Sequence, residues 1–380
     1  MKIDIFEMER WQSEWENVVD FNLSESGVKP YQLDELVDPD QMADIIKTKL
    51  GYTQTDGTYE LKKVIAAVYE DRAKPENILT TSGSAEANFV LMWRLIEPGD
   101  EVIFMLPNFM QMCGLIKNFR AKMKTFHLKE ELDWNPDLNE LKNIVTKETK
   151  LIIITNPNNP TGGQLSEESR QAIIDLARWA DAWLVSDEVY QGAEFDGHIT
   201  PSFWGTYEKT FVTCGLSKAY GLPGLRVGWI VTPVEHQNDL WSYKDYTSIT
   251  VSAMSDRLAQ IALAPRKRSE ILERTRKIIN KNYAILEEWM NKQDGLFSCT
   301  PPRAGAIAFP QYHININATK LATYIRETKS VLLQPGDQFG LDHHIRFGLG
   351  EEENRFNTAL SLVADGLEEI KQKKIGIFTK

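Results

Sequence analysis

Five apolar, strand-like runs in this chain each stop at a polar or glycine-rich turn, and that repetition restricts the fold more than any other feature. Ile78-Leu-Thr-Thr81 enters Ser82-Gly83-Ser84, Glu101 to Leu106 enters Pro107-Asn-Phe109, and Leu151 to Thr155 enters Asn156-Pro-Asn-Asn-Pro-Thr-Gly162. Ala182 to Val185 then enters Ser186-Asp-Glu-Val-Tyr190, and Thr210 to Thr213 enters Gly215-Leu-Ser-Lys218. Short apolar runs of this kind are the mark of strands covered on both faces, as in parallel sheets flanked by helices. Ligands of open α/β sheets gather where the strands end. The five turns are therefore expected to converge on one site.

Helical patterns fill the intervals. Tyr59 to Tyr69 is one, and Ala85 to Ile96 is a second, closed by Glu97-Pro-Gly-Asp100. Ser166 is the expected N-cap of a third, whose inner face is Ile173, Ile174, Leu176 and Ala177. Lys122 to Leu128 and Leu225 to Val231 complete the strand count. The expected fold is α/β, with a large domain built on a mostly parallel seven-stranded sheet flanked by helices and a smaller α+β domain from both termini. Residues 1–45 are assigned to an N-terminal arm and part of the small domain, 46–265 to the large cofactor-binding domain, and 266–380 to the C-terminal small domain. A charged amphipathic helix from Arg266 to Met290 should connect them.

The formal net charge of −11, without a dense Lys/Arg block, argues against nucleic acid or an anionic membrane as partner. Cys113, Cys214 and Cys299 lack Cys-x-x-Cys spacing, which excludes a disulfide framework and gives no zinc signature; no metal is expected. The N-terminal segment is too charged for a signal-peptide core, and no stretch nears the ~20 apolar residues of a membrane span. A cytoplasmic protein is the expectation.

Lys218 carries the chemistry. A lysine on a glycine- and serine-rich turn approaches a flat cofactor closely, and its amine forms a Schiff base with a carbonyl. Arg226, eight residues on, offers a planar fork to a phosphate. Lysine and phosphate clamp together suggest pyridoxal 5′-phosphate. A lone lysine is ordinarily a solvated surface charge, so the upstream turns carry the weight. Gly83, Ser84 and Ala85 place backbone N–H groups at a helix N-terminus, which serves equally as an anion site and as a simple serine cap. Asp187 ends an apolar strand, where a buried carboxylate needs a partner such as a protonated pyridine nitrogen; a strand-terminal turn acid is the plainer alternative. Tyr190 and Asn159 could hydrogen-bond the ring oxygen of such a cofactor, and Phe109 could stack on it or simply belong to the core.

With these motifs in order along nearly the whole chain, the sequence resembles fold-type I pyridoxal-phosphate enzymes of the class I/II aminotransferase family. The matching elements are Tyr52 with Gly57, the Gly83-Ser84-Ala85 turn, Phe109, Asn159-Pro-Thr-Gly162, Asp187 with Tyr190, Lys218, Arg226 and Arg346. The resemblance implies that Lys218 holds the cofactor and shuttles the substrate's α-proton, and that Ser84, Ala85, Ser217 and Arg226 hold the phosphate. It also implies that Tyr52 reaches the phosphate of a neighbouring subunit, which makes a homodimer with shared active sites. Arg346, in His344-Ile-Arg-Phe-Gly348, falls where the family forks the substrate α-carboxylate, and Asn22 to Gly27 resembles a segment that folds over the substrate. The implied substrates are an amino acid and a 2-oxo acid.

Two departures stand out. Gly215 occupies a position where many relatives carry a phosphate-binding serine or threonine. The stretch from Tyr243 to Thr250 holds no arginine, which speaks against a dicarboxylate preference. Ser24 to Val28, the lysine run, Asp245-Tyr-Thr-Ser248 and Pro302-Arg-Ala-Gly-Ala306 are similar to segments of capreomycidine synthase, a family member that cyclises a hydroxylated arginine derivative. Transamination is the leading expectation, and elimination, replacement or cyclisation on the same scaffold is the alternative. A non-catalytic relative is disfavoured because Lys218 and Asp187 are both present.

Overall fold

The computed structural model describes residues 3–372. Its centre is an eight-stranded sheet in the spatial order Ile78–Thr81, Gly228–Val231, Thr210–Gly215, Trp183–Asp187, Thr149–Thr155, Glu101–Leu106, Lys122–Lys129 and Asn135–Pro136. The four pairings from Thr210–Gly215 across to Lys122–Lys129 are parallel. Gly228–Val231 runs antiparallel to both its neighbours. The seven expected strands are all present. The eighth is the two-residue Asn135–Pro136, which pairs antiparallel with the end of Lys122–Lys129 and is too short to leave a periodic signal.

The period of two along each strand divides the core between the two faces. Ile103, Met105, Ile152 and Ile154 pack with Ile173, Ile174 and Ala177 of the helix Glu167–Ala180. Their alternates Val102, Phe104, Leu151 and Ile153 pack on the other side with Val90 and Leu91 of the helix Gly83–Leu95. Burial on both faces explains why these runs lack polar alternation. Ser166 caps its helix as expected, its hydroxyl accepting from the Ser169 amide at 3.1 Å.

Two expected boundaries shift. The strand read from Leu225 begins at Gly228, because Pro223–Leu225 forms a short 3₁₀ turn and Arg226 takes a left-handed conformation with φ 49°. The apolar residues Leu225 and Val227 imitate strand there but precede the ladder, where the Val227 carbonyl makes one bond, accepting from the Leu216 amide at 3.0 Å. The helix read from Ala85 begins at Gly83, which brings its first amides to the strand end.

The small domain packs around Leu321, Ile325, Val331, Ile345, Phe347 and Leu360, and the N-terminal residues Trp11 and Leu23 belong to the same core. The two-residue strand Phe21–Asn22 pairs in parallel with Val331–Leu332. The long helix Pro265–Asn291 contributes Ile271, Leu272 and Ile279 to the core beside the large sheet, and Leu286 and Met290 to the small one. Among the described residues no helix is long and apolar enough to cross a membrane.

Candidate active site

The strand-end turns and the small domain enclose a cavity of about 350 Å³, within the range usual for small-molecule sites. Its wall includes Ser84, Ala85, Phe109, Asn159, Asp187, Tyr190, Ser217, Lys218, Arg226 and Arg346. These residues come from six separate stretches of sequence. Gly83 lies directly behind the wall, and Gly27 sits beside Lys218 without lining the cavity itself. Tyr52 is not brought to the cavity of its own chain and is 84% exposed.

Close backbone approach shapes one end. A Cβ at Gly228 would lie 2.5 Å from the Ser84 amide nitrogen, and one at Gly83 would overlap the Arg226 guanidinium. Gly83 also has a φ of 79°, the left-handed region that suits glycine. These glycines let the N-terminus of the helix Gly83–Leu95, the lysine turn and Arg226 meet. Arg226 Nη1 donates to Ser217 Oγ at 3.3 Å and to the Pro223 carbonyl at 3.1 Å. Gly215 has a steric reason of its own: its Cβ would stand 3.0 Å from the Val227 carbonyl oxygen, so a larger side chain would push the two strands apart.

Asp187 lies at the floor, buried. Its carboxylate accepts from Asn88 Nδ2 at 3.1 Å and from the Val189 amide at 3.1 Å. Asn88 is held in turn by Thr213, whose hydroxyl donates to Asn88 Oδ1 at 2.8 Å. Burial pushes the Asp187 carboxyl up to about 6, and these two neutral donors only partly offset it. Among the described residues this buried carboxylate has no cationic partner, and it is suited to a ligand that brings a positive N–H.

Arg346 comes from the strand Ile345–Gly348, where Ile345 and Phe347 face the small-domain core and the arginine faces the opposite way. Its Nη1 donates to Asn159 Oδ1 at 2.8 Å, and its Nη2 donates to the Ser24 carbonyl. Its Nε is fully buried and has no hydrogen-bond partner among the described residues. Because the Asn159 oxygen is committed to Arg346, the amide nitrogen is the group Asn159 can offer the cavity. Tyr190 is buried beside Gly305, and burial raises its hydroxyl against the opposing effect of Lys218 and Arg346.

Lys218 Nζ donates to Glu25 Oε1 at 2.7 Å, an ion pair between the lysine turn and the N-terminal arm. Sequence reasoning missed Glu25. It also missed Phe6, Met8, Glu9 and Gln12, which enter the wall from the N-terminal helix Glu7–Trp15 and the residue before it. Phe6 meets the Phe109 ring edge-on at 5.3 Å between centroids. Gln111 lines the cavity and donates to the Ala85 carbonyl at 2.9 Å. Asn88 alone left a usable signal, as an amide among Ala87, Val90 and Leu91 on the buried face of its helix.

Residues 21–361 match the family described as aminotransferase class I and II. The chain belongs to that family. It is 28% identical over 367 residues to capreomycidine synthase of Streptomyces vinaceus, covering 95% of this chain and 93% of that protein. Its fold is similar to the crystal structure of a PLP-dependent aminotransferase from Streptococcus suis, with a TM-score of 0.91, 31% identity, and coverage of 97% of this chain and 99% of that one. It is also similar to the PLP-dependent cyclase OrfR, with a TM-score of 0.88, 25% identity and 98% coverage of each chain. The fold is therefore that of fold-type I pyridoxal-phosphate enzymes, and pyridoxal 5′-phosphate is the cofactor. The residues present fit it: the uncompensated Asp187 carboxylate suits the pyridine N–H, and the glycine-lined helix N-terminus beside Arg226 suits the phosphate.

Proposed function

We propose that this chain is an aminotransferase that moves the α-amino group between an amino acid and a 2-oxo acid. The convergence of Lys218, Asp187 and Arg346 on one cavity supports amino-acid chemistry on pyridoxal 5′-phosphate, and the similarity to the aminotransferase from Streptococcus suis supports transamination within it. Pyridoxal 5′-phosphate supplies an aldehyde that condenses with amines and a ring that, when protonated, withdraws electrons from the substrate α-carbon. Lys218 Nζ holds the cofactor and, once released, takes the proton from the α-carbon and returns it elsewhere. Asp187 keeps the ring nitrogen protonated through a charge-assisted hydrogen bond. Asn159 and Tyr190 donate to the ring oxygen, and Phe109 covers the ring face.

Gly83, Ser84 and Ala85 offer the helix N-terminus to the phosphate, with Ser217 and Arg226 completing the clamp. Arg346 forks the substrate α-carboxylate, and Gly27, next to the Lys218 stem, belongs to the segment that folds over the substrate. Phe6 and Met8 add apolar surface to the cavity wall. Tyr52 serves the phosphate of a second copy in a cytoplasmic homodimer. The exposure of Ile46, Leu50 and Tyr52 near one another in sequence supports an interface there.

A second reading, elimination or cyclisation of an amino acid, is supported by the similarity to capreomycidine synthase and to the cyclase OrfR. Mass spectrometry of the protein with an amino-acid panel and a 2-oxo acid separates the two. Transamination yields one new amino acid for each new 2-oxo acid. A product that has lost water or another leaving group, without amination of the acceptor, contradicts the leading reading and supports the second.

A further inference from the structure

The ion pair between Lys218 and Glu25 joins the central lysine of the site to the N-terminal segment that follows the strand Phe21–Asn22. Glu25 Oε1 accepts from Lys218 Nζ at 2.7 Å and from the Gly27 amide at 2.7 Å, so the carboxylate is oriented by its own backbone as well as by the lysine. The segment that carries it is pinned on several sides. The Leu23 amide donates to the Leu332 carbonyl at 2.9 Å, and the Gly348 amide donates to the Leu23 carbonyl at 2.7 Å. Gln12 Nε2 donates to the Ser24 carbonyl at 3.0 Å, and Arg346 reaches the same carbonyl. A Cβ at Gly348 would overlap the Glu25 carbonyl oxygen, so strand and segment are in backbone contact.

We infer that Glu25 is a positioning residue for Lys218, holding its nitrogen in place as an ammonium until the cofactor claims it. The inference rests on the assignment of Lys218 as the cofactor-holding lysine. To attach, the ammonium would give one proton to solvent, the amine nitrogen would bond to the aldehyde carbon of pyridoxal 5′-phosphate as the carbon–oxygen bonds break, and the carbonyl oxygen would leave as water with the two remaining protons of the amine. No oxidant or reductant is required. The neutral amine is the reactive form, so whatever stabilises the ammonium slows attachment at a given pH.

Charged and titratable groups around the pair come from three places. Tyr190 lies on the turn after the strand Trp183–Asp187, Arg346 on the strand Ile345–Gly348, and Glu9 and Glu16 on and just beyond the N-terminal helix. Burial pulls the Lys218 ammonium down, and Glu25 with Tyr190 outweighs it, so the group stands above its ordinary value. Burial raises the Glu25 carboxyl, but Lys218, the Gly27 amide and Arg346 bring it down to about 2, so it is ionised throughout the neutral range. Without Glu25, burial and Arg346 both act to lower the lysine. Its neutral fraction at pH 7 then rises about tenfold for each unit of pKa lost.

The test uses the full chain freed of cofactor and mixed with pyridoxal 5′-phosphate between pH 6 and pH 9. Timed borohydride quenching and intact-protein mass then measure attachment. Glu25→Gln keeps an oxygen for the Gly27 amide but removes the charge. It should attach cofactor several-fold faster than wild type at pH 7, with its pH profile displaced to lower pH. Glu25→Asp keeps the charge but draws it back by one methylene, and should shift the profile in the same direction by less. Thermal unfolding establishes that each variant is folded, and if the glutamine variant is not, the aspartate variant decides. Superimposable profiles, or slower attachment in a folded variant, overturn the inference. No amino acid is added, so the result does not depend on which reaction the enzyme performs. Failure of wild type itself to attach cofactor at Lys218 would refute the lysine assignment instead.

Discussion

Replacing Asp187 with asparagine should make the cofactor-free protein more stable while disabling the enzyme. The Asp187 carboxyl is buried, and its pKa rises from an ordinary 3.8 to about 6. A raised carboxyl means that the folded state binds the proton more tightly than the unfolded state. Its cost to stability is absent below pH 3.8, grows as pH rises through the window up to about 6, and is fully present above that. A shift of roughly two units corresponds to about 3 kcal/mol. Asparagine removes this charge but places an NH₂ opposite the Asn88 amide that now donates to Asp187 Oδ2. Rotation of the Asn88 amide restores that match and keeps the Thr213 hydroxyl, which can accept as readily as donate, but it turns the Asn88 oxygen toward Gln111 Oε1, which now accepts from Asn88 Nδ2 at 3.4 Å. Imperfect geometry after that rotation reduces the gain to about 1–2 kcal/mol. Thermal unfolding of cofactor-free protein from pH 4 to pH 8 should show Asp187→Asn gaining on wild type as pH rises, with the difference levelling above pH 6. The same variant, loaded with cofactor, should lose turnover by two to three orders of magnitude, on the scale of other preorganised charge sites. A pH-independent stability difference, or a destabilised variant at pH 8, would refute the account of Asp187 as an uncompensated buried charge.

Two other perturbations probe the rest of the site. Arg346→Lys leaves a charge but removes the planar fork, and should raise the KM for the amino acid roughly tenfold to a hundredfold with a smaller effect on kcat; equal KM values in steady-state assays would contradict the carboxylate role. Mixing a Lys218→Ala chain with a Tyr52→Phe chain should restore activity at limiting cofactor, because the heterodimer then has one site with both residues intact. Activity that does not rise after verified subunit exchange, with both homodimers impaired, would show that Tyr52 does not serve its neighbour.

The sheet was legible because its buried strands write their burial directly into the sequence. Ile152 and Ile154 pack on one face and Leu151 and Ile153 on the other, so the run has no polar member to hide it. Arg346 was legible for the related reason that its two apolar neighbours turn the opposite way. Arg226 misled the strand boundary, since a left-handed residue after a short 3₁₀ turn leaves no mark when its neighbours are Leu225 and Val227. The cavity wall from the N-terminal helix was invisible for a different reason. Phe6, Met8, Glu9 and Gln12 form an ordinary amphipathic pattern, and only tertiary packing sets that helix over Phe109. Glu25 pairs with a lysine 193 positions away, a contact that no local pattern encodes.

The central claim is that the Lys218 nitrogen carries the cofactor, and its most direct measurement is chemical. Protein incubated with pyridoxal 5′-phosphate, reduced with borohydride and digested with trypsin should yield one modified peptide, spanning Thr210 to Arg226, with the cofactor's mass on Lys218. Lys218→Ala, folded by thermal unfolding, should yield no modified peptide and no turnover. Modification of wild type at a different lysine, or normal turnover in the alanine variant, would contradict the account.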